Sequence, residues 1–297
     1  MRALVLGSAA GGGFPQWNCN CRVCRAARDV DGQAVPRTQS SVAVRGREGP
    51  WFLLNASPDL RAQLTLLPVE RSDSIRTTAI GGIVLTDGEI DHTAGLLLLR
   101  ESSAPISVYC GDGVRNALTA HYPLLPMLER YCGLSWTEIR SGEVTRLEGS
   151  SLEIESFSTG GDPPLYVGDA NGLASIGLTV RDRTDGHALT YAPALAAFDD
   201  EIRDRFAASE CVLVDGTFWT NDELLELGIS TRDARAMGHV PLSGEDGTLS
   251  GLAALRSRVI LVHVNNTNPI LLDDSRERAT VEASGIEVSY DGMEIEL

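Results

Sequence analysis

The chain has 297 residues, 43% of them hydrophobic and 22% charged, a globular composition with ample apolar material for a sizeable core. Lys and Arg number 25 against 41 Asp and Glu, and the net charge of −16 opposes non-specific binding to nucleic acid or to an anionic membrane surface. No apolar stretch approaches the roughly 20 residues of a spanning helix, so no membrane insertion is expected.

The first strand-like run covers residues 3–6, shorter than the h-region of about 7–15 residues in a secretion signal. It reads as a strand leading into the Gly11-Gly12-Gly13 loop. Next comes Cys19-Asn20-Cys21-Arg22-Val23-Cys24, which places three thiols around one turn. Six cysteines without a leader imply a reducing cytoplasm, where close thiols bind metal rather than pair. Three thiolates and one distant ligand suit a closed, structural Zn²⁺ site. The candidates for that fourth ligand are His263 and Asn266. Cys110, Cys132 and Cys211 stand alone and read as small buried hydrophobes.

Further strand-like runs cover residues 41–44, 51–54, 82–85 and 106–109, then 144–147, 152–156, 175–180, 187–191, 212–214 and 259–263. Helices are expected to begin near Asp59, Asp91, Gly113, Asp199, Asp222, Glu245 and Asp274, several of them at residues that cap helix N-termini. In both halves strands come first and mixed strands and helices follow. That order predicts an α/β chain with two sheets packed face to face and helices outside, as one domain over 1–297. The stretch 162–172, rich in Pro and Gly, reads as a long loop at the rim of the sheets.

The five histidines are unequal. His121, at an apparent helix end, and His187, after a tight turn, have no functional surroundings. His92 follows Asp87, Glu89 and Asp91 in Leu85-Thr86-Asp87-Gly88-Glu89-Ile90-Asp91-His92-Thr93-Ala94-Gly95, where a strand gives way to a polar loop and a helix start. His263 ends an apolar strand, a common location for functional groups in α/β layers. His239, flanked by Gly238 on an apparently flexible loop, is a candidate acid or base.

The Cys-x-Cys-x-x-Cys cluster, the Asp91-His92 loop, Gly238-His239 and Val262-His263-Val264-Asn265-Asn266-Thr267-Asn268-Pro269 occur in a metallo-β-lactamase-like order. With Gly7-Ser8-Ala9-Ala10-Gly11-Gly12-Gly13 and Asp291-Gly292-Met293, they resemble the pyrroloquinoline quinone (PQQ) biosynthesis protein B family over essentially the whole chain. The resemblance implies a metallo-β-lactamase-like αββα sandwich with its site at one edge. It also shows departures from the superfamily's dinuclear His-x-His-x-Asp-His site. Asp87 and Glu89 replace the first two histidines, residues 160–168 hold no later His, and Ala192-Pro193-Ala194 supplies no bridging carboxylate.

What remains, Asp91, His92 and His263, has the composition of a non-haem Fe(II) facial triad. Asp87, Glu89 and Asp215 could orient imidazoles or bind a second, weaker metal. The resemblance therefore implies an iron-dependent hydroxylase acting on a tyrosine-derived PQQ precursor, with His239 as acid or base. A carrier that delivers PQQ or its precursor toward the periplasm is the alternative, with Arg22, Arg25 and Arg37 supplying local positive charge. A residual phosphodiester hydrolase is the third reading. A homodimer is entertained without a specific signal. Whether His263 completes the zinc site or the open site is a choice the sequence leaves open.

Overall fold

The computed structural model describes residues 1–29, 34–68, 74–168 and 175–297, so residues 169–172 of the expected rim loop lie outside the described residues. In chain order the strands are β1 (Arg2–Gly7), β2 (Ser41–Arg45), β3 (Trp51–Leu54), β4 (Ile80–Val84), β5 (Ile106–Cys110), β6 (Leu134–Glu138) and β7 (Val144–Arg146). They continue as β8 (Leu152–Gly160), β9 (Ser175–Asp182), β10 (Ala188–Ala192), β11 (Cys211–Asp215), β12 (Arg258–Val262), β13 (Glu287–Val288) and β14 (Glu294–Glu296). Among the described residues they form two seven-stranded sheets, ordered β14-β1-β2-β3-β4-β5-β6 and β13-β12-β11-β10-β9-β8-β7. Strands β3 to β6 run parallel, as do β10 to β13.

Because side chains alternate along a strand, each sheet feeds two layers. Val42, Val44, Phe52 and Leu54 of the first sheet meet Ile154, Val180, Leu189, Tyr191 and Leu213 of the second in one buried core. Ala43, Leu53 and Ile83 face the other way, onto Leu60, Leu118, Leu124 and Leu128 from helical segments. On the far side Val212, Val214 and Leu261 pack against Ile202 and Phe206 of the helix Asp200–Ala207 and against Leu252 and Val281. Three apolar cores between four layers make this the expected αββα sandwich. Strand β11 is buried at every position because helices cover the face turned away from the first sheet.

Every strand expected from the sequence is present, β3 with the expected ends and the others with shifted ones. The edge strands β6, β13 and β14 were not expected. β13 and β14 span two and three residues, too short to carry a period, and pairing with a neighbour defines them. The helix Leu124–Tyr131 is disguised by Pro126, which a first helical turn tolerates because its missing N–H has no intrahelical partner there. The helix expected near Glu245 begins later, at Leu249–Ala253. Among the described residues no helix is long and apolar enough to cross a membrane.

Candidate metal centres

Two groups of ligand-type side chains lie at one edge of the sandwich. Cys21 starts the first. Its Sγ accepts a hydrogen bond from the backbone N–H of Cys24 at 3.4 Å and so caps the helix Arg22–Ala26, a role usually taken by Ser, Thr, Asp or Asn. The single turn this creates gathers the sulfurs of Cys19, Cys21 and Cys24 within 4.8 Å of one another. Asn266 backs them: its carbonyl oxygen lies 3.8 Å from Cys21 Sγ and 3.7 Å from Cys24 Sγ, and its Nδ2 donates to Cys24 Sγ at 3.2 Å. Burial and the two neighbouring sulfurs push the Cys21 thiol up to about 12. Burial also opposes ionisation of Cys19, but hydrogen bonds from Cys21 and Cys24 outweigh it and hold that thiol below its usual value. Three crowded sulfurs cannot all ionise without a cation, so the donor set fits a thiolate-bound metal.

The second group is assembled by three strand ends. The loop after β4 carries Asp87, Asp91 and His92; the turn after β11 carries Thr217; His263 directly follows β12. These are carboxyl ends of parallel strands, where open α/β sheets collect ligands. Asp87 is buried, and both its oxygens lie 2.8 Å from His92 Nδ1. Thr86 Oγ1 and the Glu89 N–H also donate to it, at 2.7 and 3.0 Å. Asn55, at the end of β3 with φ of +65°, accepts from Thr86 N–H at 3.0 Å and donates to Thr86 Oγ1 at 2.9 Å. This chain of polar contacts fixes the His92 ring with Nδ1 toward Asp87.

His92 Nε2 is buried without a hydrogen-bond partner. Asp91 Oδ2 lies 3.8 Å from it and 3.3 Å from His263 Nε2. The orphaned nitrogen, the carboxylate and the second imidazole offer three ligand atoms within 4.8 Å of one another. Gly11 closes over them, since a Cβ there would stand 3.2 Å from Asp91 Oδ2. Two imidazoles and one carboxylate are a donor set that fits a first-row divalent metal ion. Burial alone would pull the His92 imidazolium down, yet the charges of Asp87 and Asp91 lift it to about 9. Those pairings likewise hold both carboxyls below the usual range against the burial that would raise them. His263 is lowered, chiefly by burial, despite Asp91.

His239 stacks on His263 with ring centroids 5.4 Å apart. Its Nδ1 lies 2.6 Å from Oδ2 of buried Asp215, which also accepts from the N–H groups of Leu195 and Thr217, each at 2.9 Å. Burial depresses the His239 imidazolium, but Asp215 outweighs it and raises the value. Asp215, His239 and His263 form a further group within 4.8 Å, sharing His263 with Asp91.

Several expectations need revision. His239 is not on a free loop: its N–H donates to Ala234 O at 3.0 Å, Val240 N–H to Leu195 O at 2.7 Å, and Asp215 holds its ring. Glu89 is exposed and outside the ligand groups, although partial burial of its carboxyl and the charges of Asp87 and Asp91 push it up to about 7. His263 lies with Asp91, not with the sulfurs; of the two fourth-ligand candidates only Asn266 touches the cysteines. Arg37 is buried and donates to Ser8 Oγ and Ser289 O, so of the three expected cations only Arg22 and Arg25 are exposed. Cys132 is only half-buried, whereas Cys110 and Cys211 are buried. Ala192 to Ala194 contribute no carboxylate, but the parallel neighbour β11 ends in Asp215, whose oxygen engages the N–H of Leu195.

Asn55, Thr86, Thr217 and Gly11 were missed. Each is a small polar residue or a glycine at a strand end or in a loop, and such positions were the available signal.

The β-lactamase superfamily domain model matches residues 50–264. A coenzyme PQQ synthesis protein B of Nitrosococcus oceani is 44% identical over 308 residues, covering 98% of each chain. One of Methylococcus capsulatus is 44% identical over 300 residues, covering 99% of each. The crystal structure of Zn²⁺-bound PqqB from Methylobacterium extorquens superposes with a TM-score of 0.90 at 36% identity, covering 100% of both chains. By full-length similarity at this level, the chain belongs to the coenzyme PQQ synthesis protein B family of the β-lactamase superfamily.

Proposed function

We propose that the protein acts in pyrroloquinoline quinone biosynthesis as an iron-dependent hydroxylase of a tyrosine-derived intermediate. The observation that carries the reading is the unpartnered, buried His92 Nε2, set beside Asp91 Oδ2 and near the His263 ring. One carboxylate and two imidazoles are the donors that hold non-haem Fe(II) while leaving positions open. Bound there, the metal would supply dioxygen activation for ring hydroxylation, with an external reductant providing two electrons.

The protein's own groups serve that chemistry. Asp87 fixes the His92 ring so that Nε2 faces Asp91. Asp215 retains the proton on His239 Nδ1, which leaves Nε2 to accept or deliver a proton. Cys19, Cys21 and Cys24 hold a structural zinc that ties the N-terminal loop to Asn266. Gly11, from that same loop, roofs Asp91. The family membership supports the pathway, and the loss of first-metal histidines at Asp87 and Glu89 argues against a hydrolase with two bridged metals.

The test is anaerobic Fe²⁺ loading followed by O₂, ascorbate as the two-electron reductant and a tyrosine-containing precursor, with the product read by mass spectrometry. One added oxygen atom is expected in the wild type and none in His92→Ala. Tight, unreacted retention of the quinone product would instead favour the carrier.

A further inference from the structure

Three imidazoles surround the open centre, and their Nδ1 partners are not alike. His92 faces Asp87 and His239 faces Asp215. An ionised carboxylate only accepts, so each of these rings keeps a proton on Nδ1 whatever happens at Nε2. His263 faces a hydroxyl instead: Thr217 Oγ1 lies 2.9 Å from its Nδ1. The same oxygen lies 2.9 Å from the carbonyl oxygen of His263. A threonine hydroxyl has one proton and lone pairs besides, so it can donate to the ring or to the carbonyl, but not to both.

The two choices correspond to two tautomers. If Thr217 donates to Nδ1, the ring proton sits on Nε2, where Asp91 Oδ2 accepts it at 3.3 Å. If Thr217 donates to the carbonyl, Nδ1–H donates to Thr217 and Nε2 presents a lone pair. Only the second arrangement leaves Nε2 free to ligate.

We propose that Thr217 is a positioning residue whose hydroxyl reverses its hydrogen bonds when a metal enters, letting His263 move its proton from Nε2 to Nδ1 without moving its ring. The ring stays neutral throughout: Nε2 releases its proton by way of Asp91 to solvent, and Nδ1 takes one up from solvent as the hydroxyl turns to the carbonyl. The hydroxyl stays in place because its backbone is clamped. Asn268 Nδ2 donates to the carbonyl oxygens of Gly216 and Thr217 at 2.9 and 3.2 Å, and Asn265 N–H donates to Thr217 O at 3.1 Å. His263 itself has φ of +57°, a left-handed conformation unusual for a residue with a Cβ, between Val262, whose carbonyl accepts from Gly216 N–H at 2.8 Å, and Val264, whose N–H donates to Ser8 O at 2.9 Å.

The metal-binding consequence rests on the proposed open centre, but the tautomer does not depend on iron or turnover. The test is ¹⁵N NMR of the imidazoles in the full-length protein, with His263 assigned from the His263→Gln spectrum and the cysteine site already filled with Zn²⁺. Before further metal the proton is expected on Nε2; after a second equivalent of Zn²⁺, a diamagnetic probe, it is expected on Nδ1. Thr217→Val removes the acceptor for that proton and is expected to weaken the second Zn²⁺ about 10- to 100-fold, as for other lost partners of a ligating histidine. Thr217→Ser should restore it. An Nδ1 proton already present before the second metal, or unchanged Zn²⁺ affinity in a folded Thr217→Val, overturns the proposal. If Thr217→Val does not fold, the wild-type spectra alone decide it. A tautomer shift without any hydroxylated product would defeat the proposed activity and leave this inference standing.

Discussion

The cysteine cluster and the Asp91 centre share one loop yet are built on opposite plans. Cys19, Cys21 and Cys24 come from one short segment, and a single helical turn gathers their sulfurs. Asp91, His92 and His263 come from loops after strands of two different sheets and meet only once those sheets are packed. The first centre is soft and backed directly by Asn266, the second harder and surrounded by groups that orient its imidazoles. Three positions separate Asn266 from His263, so the two centres are anchored to the same backbone. The contrast teaches that the thiol cluster is gathered locally by one turn, whereas the second centre exists only once distant strand ends are packed together.

The sharpest way to break this contrast is His92→Ala. It is expected to lower metal-dependent hydroxylation by at least about 100-fold, since losing a ligand should exceed the 10- to 100-fold effect of losing a ligand's partner. Zinc at the cysteines should stay near one equivalent per chain by metal analysis. Hydroxylation at the wild-type rate in this variant would remove Asp91 and His92 from the reaction.

Cys21→Ser should do the converse. It is expected to release the zinc and lower stability by about 3 kcal/mol at free zinc near 100 times the dissociation constant. Calorimetry would read this as a melting point lower by several degrees. A wild-type protein found to contain no zinc would remove the structural role of the cluster.

Gly11→Ala tests whether the cysteine-bearing loop also shapes the open centre. The added methyl would stand 3.2 Å from Asp91 Oδ2 and displace the carboxylate by a few tenths of an ångström. Weaker Fe²⁺ binding, by about 10-fold, is expected with the melting temperature little changed. Unaltered affinity would separate the two regions.

A pH effect concerns the shared loop. Glu223 is buried, accepts from Thr267 Oγ1 at 2.5 Å and from Trp219 N–H at 2.8 Å, and is pushed up to about 7 by that burial. An unfolded glutamate loses its proton near ~4.3. Between these values the folded chain holds a proton that the unfolded chain has released, so stability falls as pH rises through that window and levels off above about 7. Glu223→Gln should flatten this slope, worth about 1–3 kcal/mol, in chemical denaturation from pH 4 to 8. An identical slope in both proteins would show that Glu223 does not tie the loop by its ionisation.

Much of the fold was legible. Alternating or continuous apolar runs mark β2, β3, β11 and β12 because burial on one face or both leaves a period in the sequence. The edge strands β13 and β14 leave none. In the site, the three cysteines were legible because all three ligands come from one segment. Asp91 and His92 were legible as neighbours in a polar loop between apolar runs. Asn55 and Thr217 were not, because each acts through a partner far away in the chain: Asn55 through Thr86, Thr217 through His263.

The sequence by itself therefore determined the ligand types, the spacing of the thiols and the strands that place everything else. It could not decide to which centre His263 belongs, since both candidate sets lie far from it in the chain. The tertiary structure sets its Nε2 3.3 Å from Asp91 Oδ2. The left-handed backbone after β12 and the Thr217 hydroxyl turn the imidazole toward Asp91, while Asn266, further along the same loop, faces the sulfurs.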